Sequence, residues 1–331
     1  MIILISQSTD EKALNTLKDD LDSFGLKWQI LEGHDHTVIH IPSDTRDIDH
    51  RRFYTYPFVE QVHPLSDNLR LSTKKKVTEH VEVPGFIFDG KKPFLIAGPC
   101  SVESETQIQE IAKIVKESGA QALRGGAYKP RTSPYAFQGL KEEGLIHLER
   151  AARQNGLLTV SEIVSEKHIP LFERHVDIIQ VGARNMQNFE LLKALGSIKK
   201  PILLKRGFAN TVEEWLHSAE YILSGGNRNV ILCERGIRTF EPWSKHTLDL
   251  AGLLAAKNHT HLPVIADPSH AAGDYALVEG LSKAAIAAGA DGLMLEIHPD
   301  PKRALSDGAQ SLKPERYLAL MRDIDILCKK G

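Results

Sequence analysis

Residues 83–331 are predicted to form an α/β fold, an eight-stranded (β/α)8 TIM barrel. Residues 1–63 are predicted to form a small βαββαβ ferredoxin-like domain ahead of it. Three observations carry this reading. Eight apolar runs recur through the larger segment, and they are continuous rather than alternating, as strands buried on both faces are. Amphipathic stretches separate them, so helices should cover a parallel sheet, and eight such units in about 235 residues suit a closed barrel. A doubly wound open sheet is the alternative. The first 63 residues have a different rhythm, with alternating strands around one amphipathic helix, and a length of 331 residues allows two domains.

The elements follow in order. "IILIS" (2–6) reads as a strand. "TDEKALNTLKDDLDSFG" reads as a helix capped at Thr9 or Asp10 and stopped at Gly25, with Leu14, Leu17, Leu21 and Phe24 at helical spacing. "KWQIL" and "HTVIHI" alternate around a turn at Gly33; a short helix near Asp44–Arg52 and a strand near Phe58–Val62 complete the unit. Residues 64–82 are polar and without period, so they are expected to be a linker, with Lys74–Lys76 solvated in it. "GFIFDGKKPF" carries Asp89-Gly90, a hairpin signal, at the N-terminal side of the barrel. The eight strands are then "FLIAGPC", "QALRGG", "LLTVSEI", "DIIQVGAR", "PILLKRG", "NVILCERG", "PVIADPSH" and "DGLMLEIH". The glycine pair 225–226 reads as a helix C-cap. The last helix, "PERYLALMRDIDILCKK", aligns Tyr317, Leu320, Met321, Ile324 and Leu327 on one face.

Composition narrows the function classes. Lys and Arg number 41 against 43 Asp and Glu, a net charge of −2, which argues against a general binder of nucleic acid or acidic membranes. Three cysteines, Cys100, Cys233 and Cys328, fit neither a disulfide framework nor a zinc ribbon, so a reducing cytoplasm is expected. The opening "MIILISQSTDEK" is too briefly apolar for a signal peptide or a membrane span.

A barrel gathers its chemistry at the carboxyl ends of its strands. Those ends carry Arg124 with Lys129 close behind, Glu162, Arg184, Lys205-Arg206, Glu234-Arg235, Asp267 with His270, and Glu296. Cys100 ends the first strand, and Asp307 lies in the loop after the last. Arg124, Lys129, Arg184, Lys205 and Arg235 are five converging cations, which would repel unless they bind a polyanion; forked Arg and point-charge Lys suit phosphate and carboxylate. Cys100, His270, Glu296 and Asp307 make a divalent-metal set from strands that become neighbours on closure. Taken singly, a strand-end Cys is ordinarily a small buried apolar residue and a strand-end Arg a surface ion pair. All of them fall at one barrel end, however, and sort by chemistry into two sets. Cys233 and Cys328 lack such partners and are expected in the packing.

The stretches "LIAGPCSVES", "RGGAYKPRTSPYAFQG", "QVGARNMQNF", "LLKRG", "ILCERGIRTF", "ADPSHAAG" and "LEIHPDP…ALSDGAQSL" resemble type I 3-deoxy-D-arabino-heptulosonate 7-phosphate (DAHP) synthases. The likeness is to the branch similar to 3-deoxy-D-manno-octulosonate 8-phosphate synthase. It covers residues 83–331. The sister enzyme is the rival, but it typically reads "KANRSS" where this chain has "KPRTS", and it usually lacks the N-terminal unit. A non-catalytic amino-acid-sensing protein is the alternative of another class. The resemblance implies metal-dependent aldol-type condensation of phosphoenolpyruvate (PEP) with erythrose 4-phosphate, releasing phosphate at the first step of the shikimate pathway. Arg124, Lys129, Arg184, Lys205 and Arg235 would hold PEP, and Arg131 and Thr132 the phosphate of the sugar. Cys100, His270, Glu296 and Asp307 would hold one divalent ion (Mn, Fe, Co, Zn or Cd). Lys129, or a water, would protonate the new alkoxide, Glu162 with Lys205 would hold the attacking water, and Asp267 would orient sugar or metal. Residues 1–63 resemble amino-acid-binding (ACT-like) regulatory modules, implying tyrosine or phenylalanine as effector and a homotetramer or homodimer.

Overall fold

The computed structural model describes residues 1–331 apart from 7–8, 33–36, 46–47, 64–68, 70, 75–80, 131–132, 134 and 331. The chain divides into two units, Met1–Arg70 and Leu71–Gly331. The division falls inside the expected linker. The Gly33 turn, Lys75 and Lys76 lie outside the described residues.

In the first unit, β1 (Ile2–Ile5), β2 (Gln29–Glu32), β3 (Thr37–His40) and β4 (Val59–His63) form an antiparallel sheet in the order β2-β3-β1-β4. Helix α1 (Glu11–Ser23) supplies Leu17 and Leu21 to a core with Ile3, Ile5, Ile39, Ile41 and Phe53. Phe24 departs from the expected apolar face: it is 39% exposed and lies under the Arg52 guanidinium at 4.2 Å. The expected second helix is displaced and tighter, a 3-10 turn at His50–Thr55 rather than an α-helix near residues 44–52. Pro57 ends the turn: Tyr56, the residue before it, is extended at φ −84, ψ 115 rather than helical. Asp49 caps the turn, its carboxylate accepting from the Arg51 amide at 3.1 Å.

In the second unit the chain is anchored earlier than a linker ending at residue 82 would allow. Ser72 is fully buried; its amide and hydroxyl both donate to Glu220 at 2.7 Å, and Thr73 bridges Thr260. The hairpin also differs from expectation. Strands β5 (Glu82–Val83) and β6 (Phe86–Ile87) pair across Pro84-Gly85, not Asp89-Gly90. Pro presets the first turn position, and Gly85 at φ +71 takes the left-handed second one, so this pair outcompetes the Asp-Gly signal.

Eight strands close the barrel: β7 (Phe94–Gly98), β8 (Ala122–Arg124), β9 (Leu158–Ile163), β10 (Ile178–Val181), β11 (Ile202–Lys205), β12 (Val230–Glu234), β13 (Val264–Ala266) and β14 (Gly292–Glu296). Glu296 of β14 stands beside Gly98 of β7 at the closure. Helices α2 (Glu105–Glu117), α3 (Glu142–Gln154), α4 (Ile169–His175), α5 (Phe189–Gly196), α6 (Val212–Ser224), α7 (Leu250–His259), α8 (Pro268–Ala272), α9 (Tyr275–Ala287) and α10 (Pro314–Lys330) complete the units. A capping box of Thr211 and Glu214 opens α6, and Gly225 closes it. On α10, Tyr317, Leu320, Met321 and Ile324 are buried, whereas Leu327 is 37% exposed. Cys233 is buried in strand β12 and Cys328 is partly buried; all three cysteines are free. Among the described residues, no helix is long and apolar enough to cross a membrane.

Candidate active site

Closure brings β13, β14 and β7 side by side, so side chains distant in sequence meet at one mouth. Cys100 follows β7, Glu296 ends β14, and His270 sits on α8, whose first turn Asp267 caps at the His270 amide (3.0 Å). Asp307 arrives from the loop after β14 with φ +47, a left-handed conformation that Asp tolerates better than most residues. The ligand atoms of Cys100, His270, Glu296 and Asp307 all lie within 4.8 Å of one another. Cys100 Sγ is 3.1 Å from Asp307 Oδ2, and His270 Nε2 is 3.3 Å from Glu296 Oε1.

The charges there are strongly coupled. Burial and the Glu296 carboxylate push the Cys100 thiol up to about 12. Burial would raise the Glu296, Asp267 and Asp307 carboxyls, but the cations around them win. His270 and Arg124 hold Glu296 below its ordinary value; His270 and Lys205 hold Asp267 well below; Lys245 and His270 hold Asp307 low. Burial lowers the His270 imidazole below its ordinary value, against the pull of Asp267 and Glu296. One thiol, one imidazole and two carboxylates gathered this closely fit a divalent transition metal.

The expected cations fall into two positions. Lys129, Arg184, Lys205 and Arg235 line a cleft of about 300 Å³, together with Glu162 and Asp307. Arg124 is 4% exposed, pairs with Glu296 through Nη1 and reaches the Cys100 carbonyl with Nη2 at 3.5 Å. Lys129 Nζ lies 3.1 Å from both Cys100 Sγ and the Cys100 carbonyl oxygen. Burial opposes its charge, but Cys100 and Glu162 raise its pKa, so it stays an ammonium. Lys205 pairs with Asp267, whose Oδ2 is also 2.8 Å from His270 Nδ1. Arg235 donates to the His270 carbonyl at 3.3 Å. Glu162 Oε2 accepts from Gln180 at 3.4 Å. Neighbouring residues in the same sequence doublets turn the other way: Arg206 pairs with Glu234 and Asp249, each at 2.8 Å, as a buried structural network. Arg131 and Thr132 lie outside the described residues.

Several lining residues escape a rule that inspects strand ends. Arg238, Lys245, His246, Phe208 and Gln180 all face the cleft. Arg184, Arg235 and Arg238 surround the Phe208 ring at 5.4, 4.8 and 5.2 Å. Arg238 stands in the quoted "RGIRTF", four residues past Glu234, and a search extended into that loop would have met it. Lys245 and His246 return only because Ile237 and Thr247 bridge and fold the loop back.

Residues 73–330 match the model of the DAHP synthetase I family, and residues 1–67 that of the DAHP synthase ferredoxin-like domain. The chain belongs to the DAHP synthetase I family. It is 44% identical over 326 residues to phospho-2-dehydro-3-deoxyheptonate aldolase of Thermotoga maritima, covering 98% of this chain and 96% of that protein. A crystal structure of the Thermotoga maritima DAHP synthase superposes with TM-score 0.94 at 42% identity, covering 99% of this chain and 97% of that one. The 2-dehydro-3-deoxyphosphooctonate aldolase of Syntrophotalea carbinolica is more distant, 32% identical over 75% of this chain. The rival reading as the sister synthase thus gives way, and so does a sensor without catalysis. DAHP synthases use PEP and erythrose 4-phosphate at the first step of the shikimate pathway and are in general metal-dependent, and this chain is an enzyme of that kind.

Proposed function

We propose that the cleft at the barrel mouth is where PEP and erythrose 4-phosphate condense. The observation that carries this is the alignment of Lys129, Arg184, Lys205 and Arg235 along one cleft beside the Cys100–His270–Glu296–Asp307 group. PEP carries a phosphate and a carboxylate, and the four lining cations with Arg124 offset both. Arg131 and Thr132 of the "KPRTS" loop take the phosphate of the sugar; the loop that opens with Lys129 thereby grips both substrates. A divalent ion held by the four donors would supply Lewis-acid polarisation of the sugar aldehyde.

The chain's own groups do the rest. The cationic wall orients the PEP methylene carbon toward the aldehyde. Lys129, kept protonated by Cys100 and Glu162, donates a proton to the new alkoxide. Glu162, steadied by Gln180, and Lys205 hold the water that adds to the carbon bearing phosphate; the C–O bond to phosphate then breaks, and phosphate leaves with the proton the water loses. Asp267 is too buried to meet substrate freely; its two partners argue that it orients His270 and Lys205. The test is phosphate release from PEP with erythrose 4-phosphate and, separately, with arabinose 5-phosphate. The four-carbon sugar should have the higher kcat/KM; a preference for the five-carbon sugar would overturn the assignment.

The ferredoxin-like unit brings none of these residues, which supports a regulatory role. Tyrosine or phenylalanine would bind it in a homotetramer or homodimer and shift the barrel's activity. A 5–150-fold change needs only about 1–3 kcal/mol of coupling. Deleting residues 1–70 should leave an active enzyme insensitive to both amino acids. A truncated DAHP synthase of Thermotoga maritima, matching 80% of this chain at TM-score 0.74, supports the feasibility of that cut. An intact enzyme that ignores both effectors at saturating concentration would end the regulatory reading. Three free cysteines support the cytoplasm as its compartment.

A further inference from the structure

The two carboxylates of the metal group are each divided. Asp307 turns Oδ2 to Cys100 Sγ at 3.1 Å, and its Oδ1 is 3.4 Å from Lys245 Nζ. Glu296 turns Oε1 to His270 Nε2 at 3.3 Å, and its Oε2 accepts from Gln310 Nε2 at 2.6 Å. The same Lys245 ammonium donates to Gln310 Oε1 at 3.2 Å. One cation thus reaches both outward oxygens, one directly and one through an amide. The Gln310 amide has one workable orientation here, because its oxygen must face the ammonium and its nitrogen the carboxylate. Accepting from Lys245 also polarises the amide and makes it a stronger donor to Glu296. Gln310 is 2% exposed, so water does not substitute for it.

Lys245 is itself held by the helix that bears His270. Its amide donates to the Ala272 carbonyl at 3.0 Å, and Gly273, at φ +70 just past α8, lies so close that a Cβ there would meet Lys245 Cβ at 2.4 Å. The "ADPSHAAG" and "SDGAQSL" stretches therefore meet at Lys245.

We propose that Lys245 and Gln310 are positioning residues for the metal group. They hold the outward oxygens of Asp307 and Glu296 so that each carboxylate presents one oxygen inward. The proposal rests on reading Cys100, His270, Glu296 and Asp307 as the metal ligands. Outer-shell partners of this kind typically alter metal affinity about 10–100-fold.

The test uses the full chain, stripped by chelator and titrated with Co2+ in the absence of either substrate, with the thiolate-to-cobalt and d–d absorption bands recorded. Gln310→Leu and Lys245→Met should each weaken Co2+ binding by about 10–100-fold and shift the d–d bands at saturation, while far-ultraviolet circular dichroism stays unchanged. Lys245→Arg, which keeps the charge and the donors, should restore affinity. If Gln310→Leu fails to fold, Lys245→Met decides alone. Wild-type affinity and spectrum in Lys245→Met, with a raised KM for PEP or the sugar phosphate, would overturn the proposal and make Lys245 a substrate ligand. Cys100→Ala is the control: if it too keeps the wild-type affinity and spectrum, the metal reading itself fails rather than the roles of Lys245 and Gln310.

Discussion

Gly182 offers a sharp test of the water-holding role of Glu162. It follows β10 at φ −70, ψ 160, a conformation open to any residue, so the backbone accepts alanine without strain. The space beside it does not. A Cβ at position 182 would stand 1.9 Å from Glu162 Oε1 and 2.7 Å from its Cδ. Ordinary contact begins near 3.4 Å, so the carboxylate must retreat by about 1.5 Å. The retreating atom is the end of a flexible side chain, which keeps the cost in stability small. A misplacement of about 1 Å can cost about 100-fold in rate, or about 2.7 kcal/mol of barrier. Gly182→Ala should therefore lower kcat by about that factor, with little change in Tm or in KM for PEP. Steady-state PEP consumption at saturating substrates, beside a thermal melt, measures both. Glu162→Gln should produce a similar loss, and the double variant should lose little more, because both act through one group. A Gly182→Ala enzyme with wild-type kcat would refute the role given to Glu162.

Three further outcomes are expected. Chelation should abolish turnover, and Cys100→Ala should not be rescued by added metal; a metal-free Cys100→Ala protein with full activity would contradict this. Lys205→Met leaves Asp267 buried with one partner fewer, and removing one member of a buried pair costs about 3–5 kcal/mol, so urea unfolding should show a loss of that order and not one below about 1 kcal/mol. Burial and Arg235 lower His246 to about 4, below the ordinary 6.5, so between those values the unfolded chain binds a proton that the folded chain refuses. Stability should therefore fall as pH drops from 6.5 toward 4, and His246→Gln should flatten that slope between pH 6.5 and 5; equal slopes for the two proteins would remove His246 as a cause.

The barrel could be read from the chain because strands buried on both faces leave unbroken apolar runs such as "NVILCERG", a local signature. Strand ends then pointed to Cys100, Glu296 and the cations, since parallel closure puts every carboxyl end on one rim. Where two local signals competed, local reading failed. Pro84-Gly85 and Asp89-Gly90 both spell turns, and only the pairing of Val83 with Phe86 chose between them. The stretch between Pro42 and Pro57 likewise spelled a helix, and the structure holds there a six-residue 3-10 helix that ends before Pro57.

What the sequence by itself determined is the eight barrel strands, their parallel order and the chemistry available at the rim. Tertiary structure alone decided which rim charges face the cleft and which hold the wall. Lys205 and Arg206 are neighbours in sequence, yet one reaches Asp267 beside His270 and the other locks Glu234 to Asp249, because successive strand residues face opposite sides. Lys245 and Gln310 are 65 residues apart and carry no periodic signal. They meet because the loop after β12 folds back on α8 while the chain after β14 returns to the same rim. A contact made by two irregular loops has no local pattern to announce it, since its partners are chosen by the closed barrel that supports both.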